Sequence, residues 1–571
     1  MSKLDHSKHI DLIESELTYQ TNEFKKLLKK QAAKMFISQQ LYICRFQGYD
    51  ETRGNILVKF DHKVCLPPRK NEVLLCFITS LQDDNVNNWG GKKYEELRTD
   101  VKTQFEAKTV FFKYTEAETI VGVSGIEEES VKHFKRDDLV FLAPNDPPLQ
   151  YLMNLHSFLK TTSPTNEALL DINISENMWR PKPLIVGENI VSKIQLDLIQ
   201  NDTVIIQGPP GTGKTYLMAK LCEAFLRANN RILVTALTNR ALIELAEKEF
   251  LESALETGRI YKSALTAEEK KRKKLKGIKA FKSLSRQKPD MLLATYFVMS
   301  QIATIATDGD HFDYIIIEES SQAFLSTLAL ARKLGKKCII IGDIMQLEPI
   351  FHKEFPINDK ENYHYMVNGL KCISYYLPNV KQYILTNSYR LNQRSVIATN
   401  SFYNGKLKSK SDLKLPLDIE NNEFLNNILN PNGGPVLKLF DLDKSRFSTN
   451  DSDLFINKII REVVKWNSKL DISVLAFNRD TIRSLQKSIF STFQGENNIT
   501  VDTIDRIQGL TTDICIFFIP LDAFPFALQN NRFNVATSRA KIATIIIADT
   551  SILNFVNKSS NEIKDYFKKL I

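Results

Sequence analysis

The sequence predicts an α/β protein with two parallel-sheet domains in tandem, preceded by helix and a small β-barrel. Three observations predict it. Residues 1–47 contain neither Gly nor Pro. Six short β-rich runs follow, split by turns. From about residue 184, apolar runs alternate with helical patterns, and each run is continuously apolar, as in strands buried on both faces of a helix-covered sheet.

At the N-terminus, Ile10, Ile13, Leu17, Phe24, Leu27 and Met35 recur at near-heptad spacing, which predicts one long amphipathic helix over 1–38. The β-rich runs 41–46, 55–60, 72–78, 108–114, 119–124 and 138–143 predict a barrel spanning 39–146. Pro147 and Pro148 close it. Leu149, Leu152, Leu155 and Leu159 then share one face of a second helix, and a linker completes 147–183. The runs 204–207, 231–236, 291–295, 314–318 and 337–341 define a first α/β domain over 184–380. A second series starts with YILT near 383, continues at 472–477, 499–504, 514–519 and 544–549, and defines a second domain over 381–571.

Composition narrows the class of function. Of 571 residues, 43% are hydrophobic and 25% charged, ordinary values for a globular chain. No run reaches the roughly 18 apolar residues that span a bilayer, and the N-terminus lacks an apolar leader, so no membrane partner and a cytoplasmic location are expected. Lys and Arg exceed Asp and Glu by 76 to 67, a modest excess compatible with a polyanion partner. The seven cysteines include no CxxC pair, which argues against zinc or an iron–sulfur cluster.

One segment stands out by charge. Residues 270–288 carry ten Lys or Arg and no acid. Leu275, Ile278, Phe281 and Leu284 space out as a helical face, so a basic helical insert is expected at about 255–289. Its cations, Lys270, Lys271, Lys273 and Lys274 among them, suit contacts to a phosphate backbone.

The chemistry begins at GPPGTGKT, residues 208–215. The run fits GxxxxGK[ST], follows an apolar strand and opens a helical pattern, the context a phosphate loop requires. Gly208, Pro209, Pro210, Gly211, Thr212 and Gly213 form the loop whose N–H groups surround a β-phosphate, with the helix N-terminus adding partial positive charge. Lys214 reaches the β- and γ-phosphates of ATP, and the Thr215 hydroxyl binds Mg2+. FDYIIIEESSQA (312–323) supplies the carboxylates such a site needs at a neighbouring strand end. Glu318 is placed to hold Mg2+, and Glu319 to polarise the attacking water.

With these residues the chain resembles the superfamily 1 helicases, group B, of the type that includes the nonsense-mediated-decay RNA helicase and the flap-processing DNA helicase-nuclease. The likeness extends over 184–551, with motifs in order: LTNRA (237–241), Thr295 in LLATYF, EESSQA against DExxQA, and GDIMQLEP (342–349) against GDxxQLxP. LTNSYRLN (385–392) with SFYNGKL (401–407), VDTIDRIQGLTTD (501–513) and NVATSRAK (534–541) complete the set. The resemblance implies two tandem RecA-like P-loop domains, preceded by a helical stalk and the barrel. It implies ATP hydrolysis with Mg2+, coupled to 5′-to-3′ movement along single-stranded DNA or RNA. Gln346 would sense the γ-phosphate, Arg390 and Arg539 would be arginine fingers, Tyr389 would lie near the adenine, and Gly509 would allow close backbone approach. Thr238, Asn239, Thr295 and Thr503 would touch the nucleic acid. Three positions depart from the family. Glu318 stands in place of Asp, Thr511 in place of a glutamate, and the glutamine ahead of the phosphate loop is replaced at best by Gln195, too near Gly208. The departures at 318 and 511 favour the alternative reading, a nucleotide-switched clamp with little turnover. Neither protein partners nor the choice between DNA and RNA is legible.

Overall fold

The computed structural model describes the chain except residues 1, 70–71, 80–84, 100, 116, 127, 133, 163–167, 175–176, 185–188, 264, 266–268, 271, 308, 310, 336, 353–359, 379, 441–448, 494–497, 508 and 571. A helix spans His6–Leu28, started by the Asp5 side chain accepting from the Lys8 N–H. A turn at Lys29 separates it from the short helix Ala32–Ile37, so the stretch 1–38 is two helices rather than one.

Six strands close a barrel: Tyr42–Asp50, Asn55–Asp61, Val73–Thr79, Val101–Tyr114, Glu118–Ser124 and Leu139–Ala143. All its pairings are antiparallel. The inward side chains, among them Ile56, Val58, Phe60, Val121 and Val123, are fully buried. Their alternation along each strand is what the period of a barrel demands.

The helix Leu149–Thr161 follows. Neither it nor the N-terminal helix stands free. Leu12, Ile13, Leu152, Leu155, Phe158 and Leu159 share one core with Met299, Ile302 and Leu328 of the first α/β unit. Full burial of each such side chain contributes about 1.5–3 kcal/mol, which fixes both helices to that unit.

The first sheet has nine parallel strands. Its order is Lys279–Ala280, Ile260–Lys262, Met291–Thr295, Ile232–Ala236, Tyr314–Ile317, Lys337–Gly342, Thr203–Gln207, Lys381–Leu385 and Lys182–Leu184. The second sheet has five parallel strands, in the order Gly434–Phe440, Ala540–Asp549, Thr512–Ile519, Ile472–Ala476 and Ile499–Thr503.

Two sequence expectations are corrected here. The YILT run does not open the second sheet. Lys381–Leu385 pairs in parallel with Thr203–Gln207 and belongs to the first. A continuous apolar run reports burial on two faces, not which sheet supplies the neighbours. Among its described residues beyond Lys270, the basic stretch is not the expected helix. It forms a 3-10 turn, Lys273–Leu275, and a two-residue edge strand, Lys279–Ala280. Leu275 and Ile278 enter the core on one side of the sheet, while Phe281 and Leu284 pack on the other. A spacing of three thus serves two cores as the chain rounds the sheet edge. A Cβ on Gly277 would sit 1.8 Å from the Leu255 carbonyl oxygen, so this passage needs glycine.

Candidate ATP-binding site between two α/β units

The phosphate loop joins the strand Thr203–Gln207 to the helix Lys214–Arg227. Gly213 takes a left-handed φ of 82° at the helix N-cap. A Cβ on Gly208 would lie 2.2 Å from Lys214 Cγ, so glycine lets the lysine fold back over the loop. Its Nζ donates to the Gly208 carbonyl at 2.5 Å. Thr212 Oγ1 donates to the Pro209 carbonyl at 2.8 Å and holds the loop's curve. Burial lowers the Lys214 pKa, with Asp343 and Glu318 opposing.

Glu318 and Glu319 leave the strand Tyr314–Ile317 side by side. Glu318 is buried; its Oε1 accepts from Thr215 Oγ1 at 3.4 Å, and its Oε2 has no hydrogen-bond partner among the described residues. Burial, and then repulsion from Glu319, push its carboxyl up to about 8. Glu319 sits at φ 53°, a conformation non-glycine residues adopt at a cost and retain mainly at functional sites. Its Oε2 accepts from Thr238 Oγ1 at 3.4 Å, and burial raises its pKa.

The second unit completes the pocket. The segment 387–390 lies on the loop: Tyr389 N donates to the Gly211 carbonyl at 2.8 Å, and Ser388 Oγ to the Pro210 carbonyl at 2.9 Å. A Cβ on Gly211 would meet Arg390 Cβ at 2.4 Å. Arg390 Nη1 donates to the Ser538 carbonyl at 3.3 Å, and Arg539 Nε to the Val535 carbonyl at 2.8 Å. Arg539 Nη2 is buried with no partner among the described residues. Burial brings Arg390 down to about 10; burial and then Arg390 bring Arg539 down to about 9. Lys214 and the two arginines spend donors on backbone carbonyls, and three such cations at one cavity suit an entering polyphosphate.

These groups line one cavity of about 350 Å³. Its walls include Gly211, Thr212, Gly213, Lys214, Thr215, Thr238, Glu318, Glu319, Gln346, Tyr389, Arg390, Gly509 and Arg539. Pro210 lines it as well, whereas Gly208 and Pro209 do not. Tyr389 is exposed and Gly509 has φ 83°. Thr511 also reaches the cavity. The oxygen set of Thr215 and Glu318, with an orphaned buried carboxylate oxygen, fits Mg2+, which takes one or two carboxylates and keeps phosphate and water for its other positions.

The expected strand contacts are less concentrated. Thr238 is the exposed N-cap of the helix Asn239–Ala246, and Thr295 the N-cap of Tyr296–Ile305; they end neighbouring strands in which Ala236 pairs with Thr295. Asn239 is exposed beside Thr238. Thr503 is buried at the end of Ile499–Thr503. Lys270, Lys273 and Lys274 are exposed and do not line the cavity; Lys271 lies outside the described residues.

Sequence reasoning gave no role to Asp343, Arg240, Glu244, Lys248 or Lys541, all of which line the cavity. Asp343, Arg240 and Lys541 stood within recognised motifs. Nothing in the spacing showed that helix Asn239–Ala246 turns Arg240 and Glu244 inward.

Two AAA-domain family models match the chain, over residues 192–352 and 370–551. It is a tandem AAA-domain protein, and the paired units share one nucleotide pocket. The chain belongs with the superfamily 1 helicases of the nonsense-mediated-decay and flap-processing types. It is 23% identical over 411 residues to the putative helicase mov-10-B.2 of Danio rerio, covering 61% of this chain and 39% of that protein. It is 26% identical over 296 residues to the uncharacterized ATP-dependent helicase MJ0104 of Methanocaldococcus jannaschii, covering 49% and 42%. It is 24% identical over 398 residues to the DNA replication ATP-dependent helicase/nuclease DNA2 of Xenopus laevis, covering 62% and 36%. The chain thus spans only about two fifths of the length of these curated relatives. Among solved structures, an arterivirus nonstructural protein 10 helicase is 11% identical with a TM-score of 0.37, covering 85% of this chain and 79% of its own, too low to argue from. No helix among the described residues is long and apolar enough to cross a membrane.

Proposed function

We propose that the chain is an ATP-driven helicase or translocase acting on single-stranded nucleic acid, moving 5′ to 3′. One observation carries the reading. The phosphate loop and both acids come from one α/β unit, while Arg390 and Arg539 come from the other and enter the same cavity. A site split in this way is complete only when the units close, so nucleotide turnover and domain motion are one event.

In this reading Lys214 and the loop amides hold the β- and γ-phosphates. Thr215 and Glu318 would hold Mg2+, which would supply positive charge at the phosphates. Glu319 orients and polarises water, and Gln346 meets the γ-phosphate. Arg390 and Arg539 stabilise charge as the bond breaks, a role worth about 10³–10⁵ in kcat where one arginine finger is supplied. Tyr389, exposed at the mouth, offers a face to the adenine. Thr238, Asn239, Thr295 and Thr503, with the exposed lysines of 270–288, contact the polymer. Thr238 adds a link, because the hydroxyl facing the strand also bonds Glu319.

The second reading, a nucleotide-switched clamp, is favoured by Glu318 and Thr511 in the cavity. Displacement of a labelled strand from duplexes with 5′ or 3′ tails separates the two. The motor releases the strand from the 5′-tailed duplex only, and only with ATP. A clamp binds both tails and releases neither, which would overturn the motor.

A further inference from the structure

A buried polar chain runs from the cavity wall into the second unit. Asp343 is 1% exposed and follows the strand Lys337–Gly342. Its carboxylate accepts from Gln207 Nε2 at 3.1 Å, the Met345 N–H at 3.1 Å and Gln346 Nε2 at 3.2 Å. A fourth donor crosses from the second unit: the Tyr403 hydroxyl donates to Asp343 Oδ2 at 2.7 Å. The same hydroxyl accepts from Asn534 Nδ2 at 2.7 Å, and Asn534 Nδ2 also donates to the Met345 carbonyl at 2.8 Å. Tyr403 and Asn534 are buried, so each link is made without competition from water.

The two ends of this chain matter. At one end Gln346 shares the Asp343 carboxylate and lines the cavity. At the other, Asn534 stands on the helix Asn530–Thr537, next to Val535, whose carbonyl holds Arg539 Nε. Gln207 ties the same carboxylate to the strand that leads into the phosphate loop.

We propose that Tyr403 is a positioning residue that joins Gln346 and Asp343 to the helix Asn530–Thr537, whose Val535 carbonyl holds Arg539, so that occupation of the γ-phosphate position sets the arginine. When Gln346 turns to a phosphate, Asp343 loses one donor and depends more on Tyr403. The bond tightens, and Asn534 draws its helix toward the first unit. Tyr403 touches no nucleotide in this account and acts only through its neighbours. The inference rests on the ATPase reading above and extends it to a residue behind the site.

Tyr403→Phe removes the hydroxyl and keeps the ring among Phe402, Phe533 and Leu391. The experiment measures kcat and KM for ATP with saturating single-stranded oligonucleotide, and oligonucleotide affinity with a non-hydrolysable ATP analogue against ADP. The expected result is a fall in kcat of about 10- to 100-fold, the range for a small misplacement of a catalytic group, with KM nearly unchanged. The analogue-dependent difference in strand affinity is lost as well. Adding Asn534→Ala to Tyr403→Phe lowers kcat no further, because both act on one chain. Unchanged kcat, or a loss explained by a lower thermal midpoint with the affinity difference intact, overturns the proposal. If Tyr403→Phe does not fold, Asn534→Ala alone is judged by the same two readouts. A wild-type chain that hydrolyses no ATP overturns the motor reading and this inference together; a normal wild type with a normal Tyr403→Phe overturns this inference only.

Discussion

Glu319 and Gln have nearly the same shape, but only the carboxylate can polarise water. Glu319→Gln is therefore expected to bind ATP as the wild type does and to lose about 10²–10⁴-fold in turnover, the range for a general base. A filter-binding assay beside a phosphate-release assay checks both halves. Lys214→Ala loses binding and turnover together, because the lysine holds the phosphates before any bond breaks. At the neighbouring position Glu318→Asp is expected to retain or raise activity, since it restores the shorter reach usual in the family, while Glu318→Ala abolishes it. Normal hydrolysis by Glu318→Ala at limiting Mg2+ would remove the metal role. At this scale the sequence was most informative: the loop, the acid pair and both arginines converge on one cavity. Tyr403 and Asn534 were quoted within motifs and left without roles, because local spacing does not say which side chain crosses to another unit.

The elements were read less evenly. All six barrel strands fall where short β-rich runs stood between turns, because alternation and turn residues are both local signals. The short strands Lys182–Leu184 and Lys279–Ala280 at the two edges of the first sheet, and Ile260–Lys262 next to one edge, were not legible. They have two or three residues each and owe their pairing to the sheet rather than to any pattern of their own. The basic stretch misled for the same reason, since its apolar spacing satisfies two cores. Its exposed charge remains: Lys270, Lys273 and Lys274 face solvent. Replacing all three by Gln should weaken single-strand binding on every sequence alike. It should flatten the slope of log affinity against log salt by about 2, at roughly 0.7 per phosphate contact. An unchanged slope in a fluorescence-anisotropy titration would make the stretch a solvated edge. The N-terminal helix carries its own pH dependence. His9 is buried, its Nε2 has no hydrogen-bond partner among the described residues, and burial, then His6, bring it down to about 3. The unfolded imidazole titrates near 6.5, so unfolding takes up a proton below that pH. Stability is full above about pH 6.5 and falls as the pH drops toward 3. His9→Leu should flatten the decline of thermal midpoint between pH 7 and 5, where this group costs on the order of 2 kcal/mol. An equal decline in both proteins would contradict that assignment.

Over the whole molecule, side chains of the second α/β unit tie it to the barrel. Arg483 donates to Gln39 Oε1 at 2.7 Å, to the Gln39 carbonyl at 3.0 Å and to the Tyr42 hydroxyl, while Tyr114 stacks on Phe490 at 5.5 Å. Arg483→Ala should loosen the barrel, seen as a larger radius of gyration in solution scattering, while nucleotide binding is kept because the cavity lies elsewhere. The tandem arrangement was legible from two series of apolar strands, but their boundary was not, since Lys381–Leu385 completes the first sheet before the chain enters the second unit. That crossing carries the functional argument, for it delivers Tyr389 and Arg390 onto the phosphate loop directly after the strand. The central claim is that one cavity, closed by two units, couples ATP hydrolysis to a nucleic-acid strand. Steady-state ATPase of the wild type and of Arg390→Ala, each with single-stranded DNA, single-stranded RNA or no polymer, tests it most directly. The account predicts that at least one polymer stimulates the wild type severalfold and that Arg390→Ala is inactive under all three conditions; equal wild-type rates with and without polymer, or an active Arg390→Ala, would contradict it.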